Sequence, residues 1–210
     1  MKLSWATRIT LLRILLIVPF VSCMLKINDS LLDPSQRITL RYIAVAIYIL
    51  MAISDGLDGY LARRSKQITK LGAFLDPIAD KLLVTSACLL LVSQRGHVER
   101  FLLPPTVVVL IIGKDLFLMI GFIIVYIITG LTRVAPVFMG KLATTLQFIM
   151  VLAILIAPEV SVVIPDWIWF LRFLWWSAAA TAIFATLIYI RNGSRYIEEY
   201  ERAVANKAKS

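Results

Sequence analysis

Apolar residues gather along this chain into six long blocks separated by short polar breaks. The blocks fall at about Ile9–Leu25, Thr39–Ser54, Leu71–Val92, Val107–Ile128, Leu142–Ala157 and Ile168–Ile190. Each is close to the roughly 20 apolar residues that an α-helix needs to cross the hydrocarbon of a bilayer. The pattern predicts an all-α integral membrane protein of about six transmembrane helices with a short N-terminal amphipathic start. The opening "MKLSWATRITLLRILLIVPF" has a basic head, but Arg13 interrupts its apolar run. No small-residue cleavage site follows before Lys26, so the segment reads as a retained first helix. Turn chemistry marks the break "KINDSLLDPSQR", and the Pro pair closing "SQRGHVERFLLPP" predicts the start of the fourth helix. Trp167 and Trp169 fit an interfacial belt at the start of the last block. The charged end "IRNGSRYIEEYERAVANKAKS" predicts a short surface helix. The expected organisation is a single membrane domain over residues 1–195 and a charged tail over 196–210.

Composition agrees with this pattern: 60% of the residues are hydrophobic and the mean hydropathy is +0.86, against about half apolar in a soluble domain. The formal net charge of +9 would suggest nucleic acid in a soluble protein. Here no basic stripe with interleaved aromatics exists, and no nucleic-acid partner is expected. The cations instead crowd one side of the blocks. Six helices put both termini on that side, with Arg63, Arg64, Lys66, Lys70, Arg133 and Lys141 beside them, while Lys26, Arg37, Arg41, Arg95 and Arg100 lie opposite. The positive-inside rule makes the richer side cytoplasmic. Cys23 and Cys88 sit in apolar blocks without metal-ligand spacing and read as core residues. His97 reads as a solvated loop histidine.

One stretch breaks the apolar logic. "SDGLDGYLARRSKQITKLGAFLDPIADK", Ser54 to Lys81, places four aspartates between two membrane blocks, where charge is costly. Asp55 and Asp58 are three apart and Asp76 and Asp80 four apart, so each pair shares a helix face. A helical hairpin would bring four carboxylates to the cytoplasmic ends of helices 2 and 3, making that the expected active site. Four carboxylates cannot stay ionised together without counter-charge. An all-oxygen donor set suits one or two hard cations such as Mg²⁺, Mn²⁺ or Ca²⁺, not Zn²⁺; two such ions suit phosphoryl chemistry, and two ions of Mg²⁺ or Mn²⁺ are the expected cofactor. Gly56, Gly59, Ala62, Gly72 and Ala73 keep the same helices narrow, for ligand approach or for close helix packing. Arg63 lies on the face of the first pair, as a phosphate ligand or a plain anchor. A cation transporter is the rival reading, but it needs polar groups recurring across several blocks, and the fifth and sixth carry almost none.

The residues Asp55, Asp58, Gly59, Ala62, Arg63, Gly72, Asp76 and Asp80 fit the spacing "DxxDGxxAR…GxxxDxxxD" without departure. In this the chain resembles the CDP-alcohol phosphotransferase family, membrane enzymes of phospholipid synthesis. The resemblance extends to the six spans and the N-terminal "ITLLRI". It implies metal binding by Asp55, Asp58, Asp76 and Asp80, with Asp80 also the general base. It implies contacts to the CDP part of CDP-diacylglycerol from Asp55, Gly59, Ala62, Arg63 and Gly72. It also implies release of CMP, a homodimer among membrane lipid, and placement in the bacterial inner membrane.

The acceptor alcohol is read from the second half. "ITLLRI" and "GAFLDPIADKLLV" resemble the members that use glycerol 3-phosphate, the expected acceptor. Those members carry an Arg-Glu pair in the fourth span and "GKxKT" before the fifth; this chain has Lys114 with Asp115, and "GKLATT" with Ala143 in place of the second lysine. "GKDLFLMIG" and "KLATTLQ" look closer to CMP-forming cardiolipin synthases, so phosphatidylglycerol is the alternative acceptor. Lys114, Arg133 and Lys141 are the candidate ligands for the acceptor phosphate; as plain structure each would be a snorkelling cation.

Overall fold

The computed structural model describes residues 5–65, 70–129 and 138–207, and all the regular structure among them is helical. In chain order the helices are α1 (Trp5–Lys26), α2 (Pro34–Ser65), α3 (Lys70–Val92), α4 (Pro105–Thr129), α5 (Phe138–Leu155), α6 (Ala157–Val163) and α7 (Trp167–Lys207). Local chemistry sets several of these ends. Pro34 and Pro105 open α2 and α4, where a missing N–H costs nothing. Asp33 N–H donates to Gln36 Oε1 at 3.2 Å while Gln36 N–H donates to Asp33 O at 3.0 Å, which closes the start of α2.

Among the described residues four helices are long and apolar enough to cross a membrane: Arg8–Lys26, Pro34–Ser54, Pro105–Val125 and Trp167–Arg195. Met139–Leu155 and Ala157–Val163 make a fifth crossing if the pair, bent by 70°, is one span. The fifth block thus does not run straight to Ala157 as predicted. Pro158 has no N–H to continue the ladder, and the chain turns at Ile156. α3 has the length of a span, but its apolar part is only Lys81–Val92, because its first half carries the second aspartate pair. The charged end differs most from expectation. It forms no separate surface helix but continues α7 without a break as far as Lys207.

The core lies where α1 packs on α2 and α3, and α7 on α4 and α5. Tyr48 sits at its centre, with ring centroids 5.8 Å from Phe20 and 6.0 Å from Phe148, and its hydroxyl donates to Phe148 O at 3.3 Å. Ala178, Ala179, Ala182 and Ala185 give α7 a buried small-residue stripe, which lets neighbouring backbones approach where lipid offers no hydrophobic drive. Leu15, Val18, Phe117, Ile127 and Phe173 are 64–75% exposed. So much outward apolar surface suits lipid rather than water. Cys88 is buried as expected and Cys23 half-buried. His97 is half-buried rather than solvated: Asn28 Nδ2 donates to its carbonyl at 2.8 Å and ties the α1–α2 loop to the α3–α4 loop.

Candidate active site

Both aspartate pairs fall on helical backbone. Asp55, Asp58, Gly59, Ala62 and Arg63 are on α2, which continues past the predicted end of the second span, and Gly72, Asp76 and Asp80 are on α3. By helical rise the first pair lies about 10 to 15 Å before the end of α2, and the second about 9 to 15 Å past the start of α3. The pairs are therefore matched in distance from the connection between the helices, and α1 packs against both helices. The side chains of these residues, the 66–69 connection and Arg133 lie outside the described residues. Among the described residues no group of three or more His, Cys, Asp or Glu is placed to hold a metal ion. The four aspartates of the motif carry carboxylate oxygen alone, the donor chemistry of hard cations, on two helices that both pack against α1.

Next to the second aspartate pair, Ala79 is fully buried and Lys81 is half-buried. Lys81 on α3 and Lys114 on α4 share one carboxylate, that of Asp115. Lys114 Nζ is 3.0 Å from Asp115 Oδ1, and Lys81 Nζ donates to the same oxygen. The Lys114 side chain is 2% exposed, that of Asp115 11% and that of Lys81 39%. Asp115 Oδ2 is buried without a hydrogen-bond partner. Among the described residues two cations share one carboxylate there, one residue along α3 from Asp80.

The structure thus separates the candidate acceptor ligands. Lys114 is buried and joined to Lys81 and Asp115, whereas Lys141 is exposed near the start of α5. Ala143, in place of the second lysine of the "GKxKT" pattern, is fully buried. Three polar residues were passed over in the sequence. Lys81 was hidden by its place at the end of the motif, although a cation beside Asp80 was a signal. Arg13, read as an interruption of a span, is 1% exposed on the α1 stripe that also carries Thr10, Phe20 and Met24. Gln147 is buried in α5 with Nε2 unpartnered. For Arg13 and Gln147 the signal was a lone polar residue in an apolar block.

Residues 3–188 match the model of the CDP-alcohol phosphatidyltransferase family, and the chain belongs to that family. It is similar to the CDP-diacylglycerol–glycerol-3-phosphate 3-phosphatidyltransferase of Bacillus subtilis, with 38% identity over 152 residues, covering 71% of this chain and 75% of the relative. The protein of the same name from Pseudomonas fluorescens is 42% identical over 109 residues, covering 51% of this chain and 49% of the relative. That from Sodalis glossinidius is 36% identical over 113 residues, covering 54% and 60%. The chain thus spans three quarters of the first relative and about half to three fifths of the other two.

Proposed function

We propose that this protein transfers a phosphatidyl group from CDP-diacylglycerol to glycerol 3-phosphate and releases CMP. The observation that carries the choice of acceptor is the Lys81–Asp115–Lys114 cluster, whose two ammonium groups next to Asp80 suit an acceptor that brings its own phosphate. The printed names of the relatives support the same acceptor.

In this reading the hydroxyl oxygen of glycerol 3-phosphate attacks the phosphorus that bears the diacylglycerol. A P–O bond forms there, the P–O bond to CMP breaks, and the hydroxyl proton passes to Asp80. Asp55, Asp58, Asp76 and Asp80 are the residues to hold Mg²⁺ or Mn²⁺, which when bound would offset diphosphate charge. Asp55, Gly59, Ala62, Arg63 and Gly72 receive the CDP part, the small residues by leaving room beside the backbone. Lys114, kept in place by Asp115, receives the acceptor phosphate, with Arg133 and Lys141 as further cations for it. The protein works as a homodimer in the bacterial inner membrane, with both termini cytoplasmic.

One observation favours phosphatidylglycerol as acceptor instead: the buried Ala143 leaves the site a cation short for a small phosphorylated alcohol. The test is CMP release by purified protein in nanodiscs with Mg²⁺ and CDP-diacylglycerol. Release that depends on glycerol 3-phosphate supports the first reading, and release that depends only on phosphatidylglycerol replaces it with the second. No release with either acceptor, from protein that binds the donor, refutes both.

A further inference from the structure

The other end of the same helices carries an open cavity with a mixed lining of apolar and charged residues. It measures about 540 Å³ and is lined by the α1–α2 loop, the start of α2, the α3–α4 loop and α6. That size is within the range of small-molecule sites. Arg41, on its wall, lies about 21 Å along α2 from Asp55 by helical rise, so the cavity is separate from the aspartate cluster.

Three arginines reach it: Arg37, Arg41 and Arg100. Arg41 is consumed by an ion pair with Glu159. Arg37 donates through Nε to Leu32 O at 3.0 Å. That bond fixes the guanidinium at the cavity and leaves its two Nη groups without a partner among the described residues. Arg100 has no partner there either, and its backbone φ of 67° is rare for a residue with a side chain. Strain of this kind is held where the surroundings require it and clusters at ligand sites. With Arg41 and Glu159 cancelled, Glu99, which is exposed, is the remaining carboxylate among the residues that line the cavity. Plain interfacial anchors would reach outward to water, whereas Arg37 is half-buried along the wall, with the exposed Arg100 as the second guanidinium. Beside these guanidinium groups stand Ile38, 48% exposed, and Val162, 83% exposed. Apolar surface and unpaired guanidinium groups meet at one rim.

We propose that this cavity binds the phosphate of an anionic phospholipid, with Arg37 and Arg100 as its ligands and the acyl chains along Ile38 and Val162. Guanidinium groups match phosphate oxygens in geometry and charge, and the apolar flank selects a lipid over a free ion. The cavity is separate from the aspartate cluster, and because phosphatidylglycerol is also the alternative acceptor there, the arginine-dependent part of its binding is what reports on this cavity.

The test is native mass spectrometry of delipidated full-length protein with dioleoyl phosphatidylglycerol or dioleoyl phosphatidylcholine, comparing wild type with R37Q/R100G. Glycine accepts the backbone at position 100, so the variant should fold; unchanged thermal unfolding without lipid checks this. The expected result is weaker phosphatidylglycerol binding by the variant, at roughly fivefold for each arginine removed, with phosphatidylcholine binding unchanged. Displacement of the arginine-dependent component by millimolar inorganic phosphate would keep the phosphate site but make its occupant the free ion, overturning the lipid. Equal phosphatidylglycerol binding by both proteins would overturn the site. Should the variant fail to fold, R37Q alone decides the matter in the same way.

Discussion

Lys114 Nζ lies 3.0 Å from the carboxylate of its immediate neighbour Asp115, although adjacent residues on a helix point about 100° apart. The lysine is therefore folded back onto the aspartate instead of reaching for the membrane surface. Lys81 of α3 joins the same oxygen, so one carboxylate ties two helices together. Asp115→Asn removes the one described carboxylate that Lys81 and Lys114 share and leaves the two cations in mutual repulsion. Breaking a buried pair costs about 3 to 5 kcal/mol, and partial solvation of Lys81 puts the expected loss near the low end. Thermal unfolding in detergent measures it, and Asp115→Glu should recover part of the loss.

Lys114→Met should behave differently, because Asp115 keeps Lys81 as its partner. The stability loss is expected to be smaller than for Asp115→Asn. If Lys114 binds the acceptor phosphate, the KM for glycerol 3-phosphate should rise about tenfold or more, as loss of a charge-assisted hydrogen bond of about 1.5 kcal/mol implies. The KM for CDP-diacylglycerol should stay unchanged. Equal rises in both KM values would assign Lys114 to structure instead.

The four aspartates should act as one unit. Asp58→Asn, Asp76→Asn and Asp80→Asn are each expected to lower CMP release by about 10²- to 10⁴-fold, the range for loss of a group that works on the reacting atoms. Chelation should abolish release in the wild type, and Mg²⁺ or Mn²⁺ should restore it. Binding of Mn²⁺, followed by its paramagnetic resonance signal, should weaken in Asp58→Asn and Asp76→Asn. Unchanged Mn²⁺ binding in those variants would remove these residues from the ligand set.

The helices were legible in the sequence because apolar blocks of membrane length have few alternative folds. The aspartates stood out for the same reason, as charges in a place that penalises them. What was not legible depends on packing between blocks. Asp115 looked like a companion of Lys114, but nothing in the spacing says that Lys81, on the preceding helix, meets the same oxygen. Arg13 looked like an interruption because periodicity on one helix cannot show which neighbour covers it. The charged end of α7 was read as a separate helix because its polarity changes abruptly at Arg191, yet hydrogen bonding continues wherever no Pro stops it. The bend before α6 had its signal in Pro158, next to the predicted end of a block.

Two glycines should respond to the same substitution with opposite signs. A Cβ at Gly96, in the turn after α3, would stand 3.0 Å from Leu90 O and 3.1 Å from Leu90 Cβ and Cδ2. A carbonyl in the last turn of a helix cannot move aside without disturbing that turn, where Ser93 N–H donates to the same Leu90 oxygen at 3.0 Å. Gly96→Ala is therefore expected to destabilise by about 1 to 2 kcal/mol, as overpacking does. Gly113 lies within α4, and a Cβ there meets nothing within 4 Å. Gly113→Ala gains helix propensity and removes freedom from the unfolded chain, for a stabilisation of up to about 1 kcal/mol. Gly96 is at the end of α3 away from Asp80, about 18 Å along the helix, so CMP release per folded molecule should not change in its variant. Thermal unfolding of the two variants side by side measures the signs. A stabilised Gly96→Ala would mean that the α3–α4 turn can open by a few tenths of an ångström, and that the contact with Leu90 does not hold it closed.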